Sequence, residues 1–143
     1  RYELGTSPDI ILKMNPNLDP VFYEGESNFS YNSDYFRPGW FTIPMIVLMK
    51  FEQDSLDFVA IITATDNEKT YKMLLSDFVS ILGDPVNIEI TSDSNNIDPE
   101  NAYHLINNGL YEFTYVYKKD NSILELKVDE DEGLLFTILH YKN

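Results

Sequence analysis

The chain has 143 residues, a formal net charge of −14 and no cysteine. This length is typical of one domain, and the 43% of hydrophobic residues excludes a chain that is disordered throughout. The missing cysteines exclude disulfides, thiolate zinc sites and cysteine nucleophiles. The acidic charge would repel nucleic acid and anionic lipid, so neither is expected as a partner.

The first part of the chain differs in composition from the rest. Pro8, Pro16 and Pro20 interrupt residues 1–20, which predicts a loosely ordered N-terminal segment followed by a single α+β domain over residues 21–143. No apolar run approaches the roughly 18 residues of a membrane helix, so no integral membrane segment is expected. Because the sequence starts with arginine, we interpret the chain as processed or excised, which leaves open a membrane anchor on a removed N-terminus.

Aromatic residues are concentrated between residues 22 and 41. Phe29, Tyr31 and Tyr35 fall on one face of a predicted strand, because side chains alternate between the two faces of a sheet. Tyrosine and tryptophan are enriched in binding hot spots, since they bury a large rigid area and keep a polar tip. We therefore predict Tyr31, Tyr35 and Trp40 as partner-binding residues, with cover for one side of the sheet as the alternative.

A β-hairpin is predicted directly after the aromatic segment. Two apolar runs over residues 43–51 and 56–65 are separated by the polar residues 52–55. Because these strands are apolar on both faces, we expect them near the centre of the sheet.

The main helix is predicted over residues 70–82. Apolar side chains recur there at the helical spacing: Leu74, Leu75, Phe78, Val79, Ile81 and Leu82. Either Asp66 or Thr70 could cap its first turn. Gly83 suits the end of a helix, and Pro85 prevents the helix from continuing.

An alternating strand over residues 86–91 and a short helix over residues 99–107 are predicted next, with a polar loop between them. Proline is favoured at the first position of a helix, and Pro99 stands at that position. Asp98 is therefore predicted as the N-cap of the short helix.

The loop before the short helix is rich in side-chain oxygen atoms: Asp93, Asn95, Asn96, Asp98 and Glu100. Calcium takes roughly six to eight oxygen ligands. The loop lacks the ligand order and the central glycine of an EF-hand. We therefore predict a solvated loop without a metal site and leave calcium binding as the alternative.

Three alternating strands over residues 111–117, 123–128 and 134–141 complete the chain as a meander. Together the elements predict an α+β fold. It consists of an antiparallel sheet of five to seven strands with one main helix and one short helix.

Four neighbouring carboxylates stand between the last two predicted strands: Asp129, Glu130, Asp131 and Glu132. We predict them as partner-binding residues for a basic protein, which their negative charge would steer toward this surface. The alternative is a charged hairpin tip that protects the sheet from aggregation.

No motif of a catalytic site is present in the sequence. The chain has no phosphate-binding loop, dinucleotide fingerprint or nucleophile elbow, and His104 and His140 lack the spacing of metal ligands. We therefore predict no catalytic residues, no metal and no cofactor. A small hydrolase that uses two carboxylates is the alternative.

Residues 77–85, Asp-Phe-Val-Ser-Ile-Leu-Gly-Asp-Pro, resemble the helix end of a bacterial family. In β-lactamase-inhibitor-protein-like envelope domains, which include the SmpA/BamE group of outer-membrane assembly lipoproteins, a helix ends in a Leu-Gly-x-Pro turn and a strand meander follows. The resemblance covers residues 70–143, whereas the segment at 92–109 and the aromatic residues near the N-terminus depart from the family pattern. The resemblance implies a non-catalytic binding domain outside the cytoplasm, and it assigns no binding residue by position.

The leading functional prediction is a non-enzymatic, extracytoplasmic bacterial protein-binding domain of a secreted protein or lipoprotein, with a cytoplasmic location as the alternative. The competing prediction is an acidic immunity or inhibitor protein that blocks a basic toxin or nuclease. Salt screens exposed charges, so binding that weakens strongly with salt would favour the inhibitor. Binding that tolerates salt would favour the envelope domain.

Overall fold

The computed structural model describes residues 4–7, 9–10, 13, 19–23, 26–35, 42–53, 55–92 and 97–142. In chain order its strands are β1 (Asp19–Tyr23), β2 (Glu26–Tyr35), β3 (Ile43–Glu52), β4 (Ser55–Thr65), β5 (Asn87–Ser92), β6 (Tyr111–Lys119), β7 (Ser122–Glu130) and β8 (Leu134–Lys142). The helices whose bounds are described are α1 (Glu68–Leu82) and α2 (Tyr103–Asn107), with a 3-10 turn (Pro99–Asn101) before α2. Within the described residues, no helix has the length and apolar character needed to cross a membrane.

The strands form one antiparallel sheet with the order β1-β2-β3-β4-β8-β7-β6-β5. The predicted α+β class, with an antiparallel sheet, one main helix and one short helix, is confirmed. The sheet has eight strands, one more than the upper end of the predicted range. The predicted number of strands did not include β1. This strand begins at Asp19, inside the segment predicted as loosely ordered, and it pairs with β2.

The path of the chain brings its last strand back to the middle of the sheet. The predicted hairpin is confirmed as β3 and β4, and both strands are central. From β4, α1 carries the chain to β5 at the edge of the sheet. The meander from β5 to β8 then returns strand by strand until β8 pairs with β4.

Asn67 caps the N-terminus of α1. Its backbone is extended, at φ −123° and ψ 122°, and its Oδ1 accepts a hydrogen bond from the Thr70 N–H at 3.1 Å. The prediction of Asp66 or Thr70 as the cap is wrong, because the helix begins at Glu68 and the capping side chain must come from the residue directly before it. The helix therefore begins two residues earlier than predicted.

One face of α1 is buried against the sheet, and its buried residues are Thr70, Tyr71, Met73, Leu74, Leu75 and Phe78. The prediction that Ile81 belongs to this stripe is wrong, since Ile81 is 72% exposed. The helical repeat of 3.6 residues places Ile81 on the same side of α1 as the buried Leu74, seven residues earlier, so its exposure shows that this side is not covered at Ile81 in the last turn. Gly83, at φ 85°, ends the helix as predicted, and its N–H donates to the Val79 carbonyl at 2.9 Å.

The predicted short helix over residues 99–107 consists of two pieces, the 3-10 turn and α2. Ala102 separates them at φ −97° and ψ 6°. Asp98 stands at the N-cap position of the 3-10 turn with an extended backbone, as predicted, but its side chain makes no capping hydrogen bond to a backbone N–H. Asn101 Nδ2 donates to Asp98 Oδ2 at 3.4 Å instead. Pro99 starts the tighter 3-10 turn, so α-helical geometry begins only after Ala102.

The core lies between the helices and one face of the sheet, and aromatic rings fill much of it. Alternate side chains of β6 point into it and are buried: Tyr111, Phe113, Tyr115 and Tyr117. Tyr71 of α1 contacts Tyr103 of α2 and Phe136 of β8, with ring centroids 5.7 and 5.6 Å away. This aromatic contact joins both helices to the sheet.

Tyrosine hydroxyls connect the core to the loops around it. Tyr71 donates a hydrogen bond to the Pro99 carbonyl. Tyr103 donates to the Asp66 carbonyl at 2.6 Å, and Tyr111 donates to the Ile97 carbonyl at 2.9 Å. These bonds join α1 to the 3-10 turn, α2 to the start of α1, and β6 to the residues before the 3-10 turn.

Replacing Tyr71 with phenylalanine is expected to lower the free energy of unfolding by about 1–3 kcal/mol, because the buried Pro99 carbonyl loses its hydrogen bond. Tyr117→Phe is the matched control. The Tyr117 hydroxyl is buried without a hydrogen-bond partner among the described residues, so its removal should leave stability unchanged or raise it slightly. Urea unfolding of the three proteins measures both differences. A Tyr71→Phe variant as stable as the wild type would show that this hydroxyl does not hold the 3-10 turn.

Candidate functional site

The outermost strand on the β6 side of the sheet leaves aliphatic side chains exposed. Val86, directly before β5, and Ile88 and Ile90 within it are 61%, 47% and 46% exposed. These three residues are termed the apolar edge. Soluble proteins usually protect edge strands, because the unpaired N–H and C=O groups can pair with another chain. An edge strand that exposes aliphatic side chains is therefore a candidate binding surface.

The register of the sheet explains why the apolar edge exists. Ile88 lies opposite Tyr115 and Ile90 lies opposite Phe113, so these isoleucines stand on the same face as the core residues of β6. Tyr115 and Phe113 are 9% and 1% exposed, whereas every residue of β5 before Ser92 is exposed. Within the part of the chain that the structure describes, the helical cover thus ends over β6, and the apolar layer of the core continues one strand beyond it.

A cleft of about 430 Å³ adjoins the end of β5. Its walls come from the ends of three neighbouring strands and the turn before β6: Thr91, Ser92, Gly109, Leu110, Tyr111, Glu112 and Glu130. Leu110 is 55% exposed and adds a further aliphatic side chain. Glu112 and Glu130 contribute carboxylates. The cleft therefore connects the apolar edge with the acidic residues at the end of β7.

The fold divides the four carboxylates that the sequence places together. Asp129 and Glu130 belong to β7, and the turn follows them, with Glu132 at a φ of 53°. Glu130, Asp131 and Glu132 are exposed, and these three residues are termed the acidic turn. Their role in partner binding stays a prediction.

Asp129 has a different environment from the acidic turn. Its Oδ2 lies 3.6 Å from Lys127 Nζ, and its Oδ1 is buried without a hydrogen-bond partner among the residues that the structure describes. Burial raises the pKa of Asp129, while the Lys127 charge opposes this shift and the Glu112 charge reinforces it. Asp129 is thus less accessible to a partner than the acidic turn, and its predicted binding role is untested.

Of the three predicted aromatic anchors, Tyr35 is the one whose side chain is described. Its hydroxyl donates to Asp77 Oδ2 at 2.5 Å, and its ring meets Phe78 edge-on with 5.8 Å between centroids. Both contacts join β2 to α1, which agrees with the alternative that these rings cover one side of the sheet. The Tyr31 side chain and Trp40 lie outside the described residues, and partner binding by the three aromatic residues stays a prediction.

Among the described residues, no group of three or more histidine, cysteine, aspartate or glutamate side chains could hold a metal ion. Residues 93–96 of the calcium alternative lie outside the described part of the chain. His104 Nε2 lies 3.1 Å from Glu68 Oε2, and His140 Nε2 lies 2.9 Å from Ser122 Oγ. Each histidine thus contacts a side chain of another element, and we assign no catalytic residue.

Sequence reasoning predicted the strand over residues 86–91 but missed its exposure. Alternating apolar residues indicate that one face of a strand is covered, and they do not tell whether a helix reaches that face. One signal was present in the chain: the strand is short and stands between Pro85 and a polar loop, which is typical of an edge strand.

The apolar edge, the cleft and the acidic turn follow one another along one border of the sheet. This border combines exposed aliphatic side chains, an edge strand and carboxylates. The resemblance of residues 70–143 to the envelope-domain family stays a prediction. Comparisons with protein-family models, with curated proteins and with solved structures find no match to this chain.

Proposed function

We propose that this chain is a non-enzymatic protein-binding domain. The apolar edge carries the proposal, because it exposes aliphatic side chains of the core layer on an edge strand whose outer side pairs with no described strand. Covering apolar surface is favourable by roughly 25 cal/mol per Å², and a partner protein is large enough to cover a whole strand. An extracytoplasmic bacterial setting, secreted or lipid-anchored, is part of the proposal and rests on the resemblance of residues 70–143.

The charge around this border supports a partner that carries basic residues. Glu89 and Glu112 are exposed on the edge strand and its neighbour, and Glu130 lines the cleft. The whole chain has a net charge of −14. Negative charge on this scale attracts a basic protein and speeds the encounter with it.

The experiment that tests the proposed function is capture from an extract of the source organism on the immobilised chain. The wild type is compared with an Ile88→Ser/Ile90→Ser variant and with Ile46→Ser. Ile46 is the matched control, because it is 46% exposed, as Ile90 is, and stands in β3 away from the β5 border. We expect one protein to be retained by the wild type and by Ile46→Ser and lost from the double variant, with circular dichroism confirming that all three chains are folded.

Two results would contradict the proposed function. The first is that no protein is retained by the wild type at low salt. The second is that the double variant and Ile46→Ser retain the same proteins as the wild type, which would show that the captured proteins bind elsewhere or without specificity.

An acidic inhibitor or immunity protein is the second candidate, and the exposed acidic turn is the observation that favours it. In this candidate, the carboxylates would block the cationic cleft of a toxin or nuclease. A Glu130→Gln/Asp131→Asn/Glu132→Gln variant separates the two candidates. If it loses the captured protein, and moderate salt also releases that protein from the wild type, the inhibitor is favoured. If the variant still retains the protein, and moderate salt does not release it from the wild type, the apolar edge is the main contact.

A further inference from the structure

β5 is an edge strand of the described sheet. β5 stands at the end of the strand order, and no described strand pairs with its outer side. Residues 87–91 of this strand include no proline, so their main chain can form ladder hydrogen bonds over about 17 Å. Extended peptides bind edges of this kind by adding a strand to the sheet.

One face of an added strand would meet the apolar edge. Ile88 and Ile90 stand in line with the buried Tyr115 and Phe113, on the face that the helices cover farther inward. Residues directly opposite each other on neighbouring strands lie about 5 Å apart. Aliphatic residues at alternate positions of the added strand would therefore contact both isoleucines and extend the core layer by one strand.

The other face of β5 carries one acidic side chain. Glu89 alternates with Ile88 and Ile90 and so points to this face. Glu112 of β6, opposite Thr91 in the register, is its diagonal neighbour. Both glutamates are exposed. Opposite charges across a strand pair are favourable, so the residues between the aliphatic ones in the added strand should be lysine or arginine.

The same charges disfavour a second copy of this chain at β5. In the antiparallel register that places Ile88 opposite Ile90 of the other copy, Glu89 faces Glu89, and like charges directly opposite each other are destabilising. Each copy also carries a net charge of −14. The surface therefore opposes self-pairing and attracts a basic strand.

We propose that β5 binds an extended segment of a partner protein as a ninth strand, next to the eight that the sheet contains, and that this segment alternates aliphatic residues with lysine or arginine. The proposal rests on the protein-binding function above and specifies the partner segment. Main-chain hydrogen bonds supply affinity for any extended chain, whereas the apolar edge and the two glutamates select the alternating pattern.

Three synthetic peptides test the proposal on the full chain. The first alternates valine and lysine, the second has the same composition in two separate blocks, and the third is the alternating peptide with N-methyl groups on alternate amides along one edge. We expect the first peptide to bind about tenfold more tightly than either of the others and to slow hydrogen exchange at the β5 amides. Equal binding of all three would overturn the proposal, because net charge alone would then explain the binding.

Single substitutions locate the bound peptide. Ile90→Ser is expected to weaken binding of the alternating peptide about tenfold, since it removes one apolar contact, and Glu89→Gln should weaken it at low salt. Ile46→Ser is the matched control, because Ile46 and Ile90 are both 46% exposed. Equal affinities for Ile90→Ser and Ile46→Ser would overturn the proposal.

The outcomes separate this proposal from the broader function. If the alternating peptide does not bind but capture of a protein still depends on Ile88 and Ile90, strand addition is overturned and the protein-binding function stands. If capture also fails, both are overturned. Sedimentation that shows self-association of the wild type, lost in the Ile88→Ser/Ile90→Ser variant, would identify a second copy as the occupant and overturn the proposal.

Discussion

Replacing Leu74 with alanine is expected to lower the free energy of unfolding by about 2–5 kcal/mol. Leu74 is 0% exposed on α1 and belongs to the core cluster that includes Leu126 and Phe136 of the sheet. The substitution removes buried aliphatic atoms and leaves a cavity, which close-packed neighbours fill only in part. Helix propensity does not add to the loss, because alanine is the best helix former.

The matched control for this prediction is Ile81→Ala on the same helix. Ile81 is 72% exposed, so its truncation is expected to change the stability by no more than about 0.5 kcal/mol. Urea unfolding compares the two variants with the wild type, and unchanged slopes would show that the denatured states are comparable. Similar losses in both variants would contradict the burial pattern of α1.

Raising the pH from about 10 to about 12 is expected to remove stability that buried tyrosines supply. Burial raises the pKa of Tyr115 from its ordinary value of 10.0 to about 12, with nearby ionisable groups adding to the shift. The pKa of Tyr71 is raised in the same direction, again mainly by burial. Below pH 10 the folded and unfolded chains both keep these protons, so the stability is fully present.

Between the unfolded and folded pKa values, the unfolded chain releases the tyrosine proton and the folded protein retains it. Stability therefore falls as the pH rises through this interval. One pKa unit corresponds to about 1.4 kcal/mol, so Tyr115 alone accounts for a loss on the order of 2 kcal/mol.

Tyr115→Phe isolates this effect from the ionisation of lysines, which occurs in the same range in both proteins. The variant cannot ionise at this position, so its stability should fall less steeply between about pH 10 and 12 than that of the wild type. Urea unfolding at a series of pH values measures the two slopes, and tyrosinate absorbance reports the ionisation. Equal slopes would contradict the burial of the Tyr115 hydroxyl.

Local sequence patterns were sufficient to predict most of the secondary structure. The hairpin of β3 and β4, the end of α1 at Gly83 and the meander of β6, β7 and β8 all follow from side-chain periodicity and turn residues. These signals act between residues only a few positions apart. The order of the amino acids therefore contains these signals directly.

Other differences from the predictions concern single residues at the ends of helices. Asn67, not Asp66 or Thr70, caps α1, and Asp98 stands at the predicted N-cap position but makes no capping bond. Neighbouring polar residues have similar capping chemistry, so the backbone conformation decides which of them acts. The exposure of Ile81 was not predicted for a related reason. Burial in the last turn of a helix depends on how far the elements packed against that helix extend.

In the candidate site, too, some features follow from the local sequence and others arise only in the folded molecule. The position of the acidic turn between the last two strands follows from the sequence. The exposure of Ile88 and Ile90 does not, because their alternation is the same whether or not a helix covers them. The cleft that connects the two features depends on residues from three strands.

The order of amino acids alone is enough for the α+β class, the main helix, the central hairpin and the final meander, since each depends on contacts between near neighbours. The pairing of β8 with β4 and the edge position of β5 arise only in the folded molecule. Which distant strands pair depends on where the chain continues after α1. Which strand stays exposed depends on how far the helices cover the sheet. No local periodicity contains that information, and the apolar edge, on which the proposed function rests, is its consequence.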